Sequence, residues 1–343
     1  KINVTRPNLK EREDIFKLYL SRVDYNKETV DISILARKTV WFTPAEIESM
    51  VREASLLSQR NHHAQIEKDD IGEAYERVTF GQKSNVIQPE KDKLWTAYHE
   101  AGHAIIYYLL AAQHDVMKAT IIPRRGALGY VFARPKEELF QETKEEYLTD
   151  IKIALASYVV ENKKFGTTAS GVGGGSRSDF GQALSTAHHM VWSLGMGPSG
   201  LIGDFSSTMW SWGHWSSNTP ISEEMKTKLD NDVQLILQEC LKQTKEIIDR
   251  HWEAVDYFAQ QLYVKEELDY DEIEAIFNSR FHLQRLINDR SIPAELAQQK
   301  QDFQKIVEQK KAEEKALRES LLAQQPVVKK KRWPWTKPDK IKS

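Results

Sequence analysis

The chain has 343 residues, a formal net charge of −2 and a single cysteine, Cys240. Its length accommodates two or three domains, and 40% hydrophobic with 29% charged residues is ordinary for a globular protein. The near-neutral charge argues against a global attraction to nucleic acid, and one thiol excludes a disulfide framework and a cysteine-rich zinc site.

The chain begins at Lys1 without an initiator methionine or a signal peptide, so we expect it to be part of a longer protein. No segment reaches the ~18 apolar residues that a membrane-spanning helix needs. Because upstream sequence is expected, this missing span is only a weak argument against membrane attachment.

Residues 1–80 are predicted to form a helical bundle. Asn8 is a typical N-cap for a first helix, and the apolar residues of 32–36 mark a short second one. Residues 43–46 combine a capping threonine, a proline at the first helical position and a glutamate three residues after the cap. Residues 67–71 begin a fourth helix. This bundle carries no catalytic pattern of its own.

The stretch Tyr98-His99-Glu100-Ala101-Gly102-His103-Ala104 contains a His-Glu-x-x-His pattern in an apolar, proline-free run. On a helix, His99 and His103 lie one turn apart on one face and can bind a single zinc ion. Glu100 then lies beside a zinc-bound water, whose pKa falls to about 7, and can accept its proton. A chance match is disfavoured because unpaired histidines are costly on a core helix. The pattern predicts a zinc hydrolase, most often a peptidase.

Two strands are predicted next, over residues 116–122 and 127–132, separated by a turn that contains Arg124 and Arg125. Taken alone, the second strand forms a hairpin with the first and completes the fold. The two arginines are expected to be a solvated turn, with contact to substrate carboxylates as the alternative.

A helix over residues 143–161 ends at Glu161, which either orients a zinc histidine or is a charge at the helix end. A glycine-rich loop then leads to Asp179, which opens another helix. Catalytic zinc requires a third protein ligand besides the two histidines. The residues by themselves do not identify this third ligand, and Asp179 taken alone could be a plain N-cap of the helix that it opens. His188 and His189 are adjacent, cannot easily face one metal together and are expected to be structural or surface residues.

The rest of the sequence predicts mainly helices. For the whole chain we therefore expect a mainly α (α+β) fold with a small β-hairpin or sheet. Residues 222–262 form two long helices and 268–277 a short one. The tryptophan-rich stretch 209–215 is either a satellite core or an interaction loop. The basic–aromatic stretch 329–335 is either a disordered, soluble end or a patch that contacts anionic lipid or a partner.

Several segments resemble the FtsH-type ATP-dependent zinc metalloproteases. The N-terminal region is similar to the AAA+ lid subdomain that precedes the protease, through Leu9–Arg12, Asp31-Ile32, Ala36–Thr39, Phe42-Thr43 and Glu53-Ala54. Residues 123–130 follow the family order Pro-Arg-x-x-Ala-Leu-Gly-Tyr, and Asp179 precedes a helix that ends in Trp192–Met196, as in the family. The resemblance implies a lid at 1–80, a linker at 81–93 and a zinc metallopeptidase domain at 94–285. The composition of residues 286–343 predicts a charged helical or disordered tail.

The chain also departs from the family. Trp41 stands where glycine is usual and residues 43–45 stand where Ser-Gly-Ala is usual, which weakens the expectation of nucleotide contact at this turn. Of the family's Gly-Gly-Arg-x-Ala-Glu, only the glutamate remains in residues 156–161. The loop before Asp179 is longer, and Ser178 replaces asparagine. The chain has no P-loop, so alone it is not expected to hydrolyse ATP.

The resemblance implies one Zn²⁺ per chain, held by His99, His103 and Asp179, with Glu100 as general base and later proton donor. It implies substrate binding along Leu128, Gly129 and Tyr130. ATP and Mg²⁺ are implied for the full-length protein only. The implied partners are protein substrates in quality control, a homo- or hetero-hexamer and a membrane reached through upstream spans. The catalytic part would face the cytosol, matrix or stroma at a bacterial plasma, organelle inner or thylakoid membrane.

The leading hypothesis is therefore a membrane-anchored, ATP-dependent zinc endopeptidase that degrades unfolded or membrane proteins. The alternative is an FtsH-like chaperone or assembly subunit with weak or no proteolysis, suggested by the altered lid turn and the lost glycines. The intact motif argues against it, because decayed sites usually lose Glu100 or a histidine first. A stand-alone, ATP-independent protease is disfavoured by the lid.

Overall fold

Four capped helices build the N-terminal bundle, residues 5–80, in a computed structural model that describes residues 5–84, 86–124, 127–136, 141–173, 175, 178–203 and 221–285. They are α1 (Leu9–Leu20), α2 (Ile32–Lys38), α3 (Pro44–Arg60) and α4 (Lys68–Phe80). Asn8 and Thr43 cap α1 and α3 as predicted, and each forms a capping box with the glutamate three residues later, Glu11 and Glu46. Apolar residues from all four helices form one core, which includes Phe16, Ile47 and Ile71.

The C-terminal body, residues 86–285, surrounds helix α5. Its helices are α5 (Glu90–Leu110), α6 (Lys144–Phe165), α7 (Asp179–His188), α8 (Glu223–Arg250), α9 (Trp252–Lys265) and α10 (Tyr270–Glu274). A π-helical turn extends α7 over His189–Ser193, and another extends α10 over Ala275–Arg280. Twelve of the 21 residues of α5 are buried, because the helix packs between α6 and α9. This central position places the His-Glu-x-x-His pattern in the interior.

A small antiparallel sheet lies against the end of α5. Its strands are β1 (His114–Thr120), β2 (Tyr130–Pro135) and β3 (Glu267–Asp269), in the order β2-β1-β3. Thr120 pairs with Tyr130, and Ala119 pairs with Leu268. Within the described part of the chain, β2 is therefore an edge strand, and its first residue, Tyr130, is the last residue of the predicted substrate segment. The predicted mainly α class with a small sheet is confirmed.

Two local predictions were wrong. Arg124 is not a solvated turn residue: it is 2% exposed and its guanidinium bonds to Gly81 and Glu76. Leu268 does not begin a helix: α9 ends at Lys265, and its C-cap Glu266 has a left-handed conformation. The chain then turns into β3, where Leu268 is fully buried. Both outcomes depend on contacts with segments that are distant in sequence.

Some predictions fall outside the described residues. They concern the tryptophan-rich stretch 209–215, the tail from residue 286 and Arg125. Residues 1–287 cluster as one compact unit, and a second unit, 288–343, lies wholly outside the described ranges. None of the helices in the described ranges combines the length and apolar character needed to cross a bilayer.

Candidate metal centre

Helix α5 brings His99 and His103 together as the sequence predicts. Their rings are 4.9 Å apart between centroids, and their Nε2 atoms are 3.3 Å apart. Gly102, between them, allows α5 to approach α6 closely: a Cβ there would lie 2.9 Å from the Ala156 carbonyl oxygen. This close approach lets groups on α6 reach the histidine rings.

Asp179 joins the two histidines from a different element. Its Oδ2 lies 3.3 Å from the Nε2 of His99 and 3.4 Å from the Nε2 of His103. The residue that caps α7 is Ser178, whose hydroxyl accepts a hydrogen bond from the Gly181 amide at 3.2 Å. The alternative that Asp179 is a plain N-cap is therefore wrong, because its side chain points to the histidines instead.

One face of α6 holds all three side chains in place. Residues 153, 157 and 161 are four apart and so share that face. The Ile153 carbonyl accepts from Nδ1 of His103 at 2.8 Å, and Glu161 Oε1 accepts from Nδ1 of His99 at 2.7 Å. The Ser157 hydroxyl donates to Oδ2 of Asp179.

Glu161 is completely buried, and its second oxygen accepts from the Ala169 amide at 2.7 Å. It therefore contacts His99 on one side and the glycine-rich loop that leads to Asp179 on the other. The alternative of a charge at the helix end is wrong. A buried carboxylate behind a histidine orients the ring and fixes its tautomer.

The hydrogen bonds behind the histidines make the front of the site a set of acceptors. The Ile153 carbonyl can only accept, so Nδ1 of His103 carries the hydrogen, and the Glu161 carboxylate requires the same of His99. In the neutral rings both Nε2 atoms then present lone pairs to each other and to Asp179. Three converging acceptors repel one another unless a proton or a metal ion lies between them.

The spacing of these three atoms fits zinc. A tetrahedral zinc ion with ligands at about 2.0–2.1 Å holds neighbouring ligand atoms about 3.3 Å apart. The three separations in this site, 3.3, 3.3 and 3.4 Å, match that value. Among the described residues, these are also the only three such side chains that could share a metal ion. They leave a fourth coordination position for water or substrate.

The electrostatics of the site favour positive charge. Burial lowers the pKa of His99, but its hydrogen bonds to Asp179 and Glu161 outweigh this and raise the pKa to about 10. Burial raises the pKa of Asp179, but bonding to His103 and His99 holds it far below its usual range. The pocket therefore stabilises a cation next to an ionised aspartate.

Glu100 is 5% exposed and lies beside the metal ligands without being one of them. Burial and Asp179 raise its pKa, His99 and His103 lower it, and the net direction is upward. A raised carboxylate pKa makes the side chain a stronger base and a usable acid in turn. This position and basicity suit the predicted role of general base.

The predicted substrate segment borders Glu100. A Cβ at Gly129 would lie 2.9 Å from Oε1 of Glu100 and 2.7 Å from the Thr120 carbonyl oxygen, so only glycine fits there. Leu128 is half exposed, whereas Tyr130 packs inward with a buried hydroxyl. The site thus has an edge strand beside its base.

His188 and His189 take no part in the centre. His188 stacks on Trp192, and His189 contacts the ring of Tyr147. The sequence reasoning missed Ser157 and the Ile153 carbonyl as partners of the ligands. A signal for both was present in the sequence: Ile153 and Ser157 precede Glu161 at four-residue intervals on α6, and Ser157 interrupts an otherwise apolar stripe.

Comparison with known proteins agrees with this geometry. The family model described as peptidase family M41 matches residues 86–276, more than half of the chain, and the AAA+ lid domain model matches residues 29–73. The chain is 32% identical over 280 residues to "ATP-dependent zinc metalloprotease FtsH" of Borreliella burgdorferi, covering 80% of this chain and 43% of that protein.

Two further relatives extend the comparison. The FtsH metalloprotease of Aster yellows witches'-broom phytoplasma is 34% identical over 80% of this chain and 39% of its own length. "ATP-dependent zinc metalloprotease YME1L1" of Mus musculus is 29% identical over 81% of this chain and 37% of its own length. The chain thus spans about two fifths of these relatives. The resemblance to FtsH-type metalloproteases is confirmed, and the family match covers every residue of the metal centre, so the chain belongs to peptidase family M41.

Proposed function

We propose that this chain is the zinc endopeptidase part of an ATP-dependent protease, with His99, His103 and Asp179 as metal ligands and Glu100 as general base. The observation that carries the proposal is the convergence of three partly buried acceptor atoms at about 3.3 Å spacing, oriented from behind by α6. A structural histidine pair would have no need of this third acceptor.

The residues divide the work of peptide-bond hydrolysis among them. His99, His103 and Asp179 would hold a zinc ion, which would supply a Lewis acid that lowers the pKa of water at the site. Glu100 accepts the proton that the attacking water loses and then donates it to the nitrogen of the departing amine. During these steps Nδ1–H of His99 continues to donate to Glu161, and Nδ1–H of His103 continues to donate to the Ile153 carbonyl. These hydrogen bonds keep the two rings in the same orientation.

The edge strand supplies a binding mode for an unfolded chain. Because β2 is paired only with β1 among the strands of the described residues, its other backbone edge can bond to an extended peptide. Leu128, Gly129 and Tyr130 at its start then hold the peptide next to Glu100. Backbone pairing depends little on side chains, which suits degradation of many different proteins.

The whole protein is proposed to work as FtsH-type relatives do. Their names describe ATP-dependent zinc metalloproteases, and the lid match supports an adjoining AAA+ module that uses ATP and Mg²⁺. We further propose a homo- or hetero-hexamer, membrane-anchored by upstream spans, with the protease facing the cytosol, matrix or stroma. Its substrates would be unfolded or membrane proteins, and the intact site favours this role over a chaperone.

The test is zinc content together with casein degradation by the full-length protein with ATP, for wild type, Glu100→Gln and Glu224→Gln. Glu224 is an exposed glutamate in the first turn of α8 and serves as the matched control. We expect one zinc per chain in all three proteins. Loss of general base catalysis should slow degradation by about 10²–10⁴-fold in Glu100→Gln alone.

Two results would contradict the proposal in different ways. Zinc without any wild-type degradation would favour the chaperone or assembly role. Absence of zinc, with degradation unchanged by Glu100→Gln, would refute the metal centre itself.

A further inference from the structure

The N-terminal bundle contacts the antiparallel sheet through charged residues. We call the contact formed by Glu76, Lys118, Arg124 and Glu267 the charged seam. Glu76 of α4 accepts from Lys118 of β1 at 2.5 Å and from Arg124 at 2.7 Å. Arg124 is buried and also donates to the Gly81 carbonyl at 3.0 Å, while Lys118 pairs with Glu267 of β3 at 2.9 Å. Ion pairs shielded from water in this way hold two elements in one register.

An aromatic cluster continues the same seam. Phe80, the last residue of α4, stacks on Tyr130 with ring centroids 4.3 Å apart and meets the edge of Phe132 at 5.0 Å. Tyr75, one turn and a half earlier, contacts Phe132 at 6.0 Å. Both Tyr130 and Phe132 belong to the edge strand β2, so α4 packs directly on the strand proposed to bind substrate.

The segment that follows α4 reinforces this contact instead of acting as a free linker. The Ser84 amide donates to the Pro123 carbonyl at 2.8 Å, and the Gln88 side chain donates to the Leu128 carbonyl at 3.2 Å. Helix α5 then begins at Glu90, earlier than the predicted boundary. The connection therefore runs along the turn that precedes β2.

One residue, Gly129, links Tyr130 to the segment of backbone that contacts the general base Glu100. Gly129 precedes Tyr130 and has so little space that a Cβ would lie 2.9 Å from Glu100 and 2.8 Å from Thr96. A displacement of the Tyr130 ring would therefore move the backbone that lies against Glu100. No other element needs to intervene.

We infer that Glu76 and Phe80 are positioning residues for peptide hydrolysis, which hold the Leu128–Tyr130 segment in place beside Glu100. This inference rests on the proposed function. The bundle then has a second role beyond that of a lid: its last helix supports the strand that binds the extended peptide. Weakening the seam should loosen peptide binding while the metal centre, which α6 orients, stays intact.

The experiment measures hydrolysis of a short fluorogenic peptide, which needs no unfolding, by the full-length protein with ATP. Phe80→Ala is compared with Tyr25→Ala, a half-buried aromatic of the bundle away from the seam. An aromatic pair contributes ~0.5–1.5 kcal/mol, so Phe80→Ala should raise KM about two- to tenfold. We expect kcat, zinc content and the pH profile to stay unchanged, and Phe80→Tyr to restore the wild-type KM.

A second pair of variants guards against misfolding of Phe80→Ala. Glu76→Gln removes the negative charge that pairs with the sheet across the seam, whereas Glu73→Gln removes the 2.5 Å ion pair with Arg77 inside α4. Of these two variants, only Glu76→Gln should raise KM. The inference would be overturned if wild type, Phe80→Ala and Glu76→Gln had equal KM values. It would also be overturned if the control variants Tyr25→Ala and Glu73→Gln raised KM as much as the seam variants do. A zinc-loaded wild type that cleaves no peptide would instead refute the proposed function.

Discussion

The N-terminal bundle and the C-terminal body each contain a histidine paired with a buried carboxylate. In the bundle, Nδ1 of His63 lies 2.8 Å from Asp70, and in the body Nδ1 of His99 lies 2.7 Å from Glu161. Both carboxylates also accept a backbone amide hydrogen. Seen from the carboxylate, the two pairs are nearly the same.

The difference lies on the other side of the ring. The His63 side chain is 39% exposed, whereas that of His99 is 17% exposed and its Nε2 faces two further acceptors from α5 and α7. Within the described residues, His63 and Asp70 belong to no group of three metal-ligating side chains. A carboxylate behind a histidine is thus shared by structural and metal sites, and the converging acceptors in front distinguish the metal site.

The largest expected contrast is between the aspartates of the two regions. Asp179→Asn replaces a charged metal ligand by a neutral amide. Zinc affinity should therefore fall by more than ~100-fold, which is the upper range for mutating groups that contact only the ligands. Asp70→Asn should leave one zinc per chain, because Asp70 only caps and pairs within the bundle. Zinc per chain after dialysis against a chelator measures both. Equal zinc in the two variants would break the comparison.

Glu161→Gln is expected to have the next largest effect. The amide can still contact His99, but it loses the charge that orients the ring and raises its basicity, so zinc affinity should fall about 10–100-fold. Competition with a chromophoric chelator gives the affinity directly. An unchanged affinity would mean that Glu161 only packs the glycine-rich loop.

Two helical glycines give a smaller contrast. A Cβ at Gly102 would press on the Ala156 backbone, whereas a Cβ at Gly72 in α4 meets nothing within 4 Å. Gly102→Ala should therefore lower the free energy of unfolding by about 1–3 kcal/mol. Gly72→Ala should raise it by about 0.5–1 kcal/mol. Urea denaturation measures both, and a stabilised Gly102→Ala would show that α5 and α6 are not in close contact.

The smallest expected effect is a pH dependence in the bundle. The hydrogen bond to Asp70, against a smaller opposing effect of desolvation, raises the pKa of His63. The pair should therefore stabilise the fold fully below the unfolded histidine pKa of about 6.5 and lose this contribution as pH rises through the folded value. His63→Gln should thus be less stable than wild type at pH 5.5 and equal to it at high pH. A stability gap that widens with pH would reverse the assigned sign.

Much of the helical framework could be predicted because its signals are local. The capping residues Asn8 and Thr43, and the one-turn spacing of His99 and His103, operate within a few residues and do not depend on the rest of the fold. Asp179 could be identified by resemblance, since its position at the start of α7 is also a local feature. The sequence therefore determined the helices, the two histidines and the candidate third ligand.

The tertiary structure decided what those ligands contact. The alignment of Ile153, Ser157 and Glu161 behind the three ligands appears only when Gly102 lets α5 approach α6. The burial of Arg124 and the seam through Glu76 likewise join segments some forty residues or more apart. Such pairings arise from packing of whole elements, and residue spacing along one chain carries little information about them.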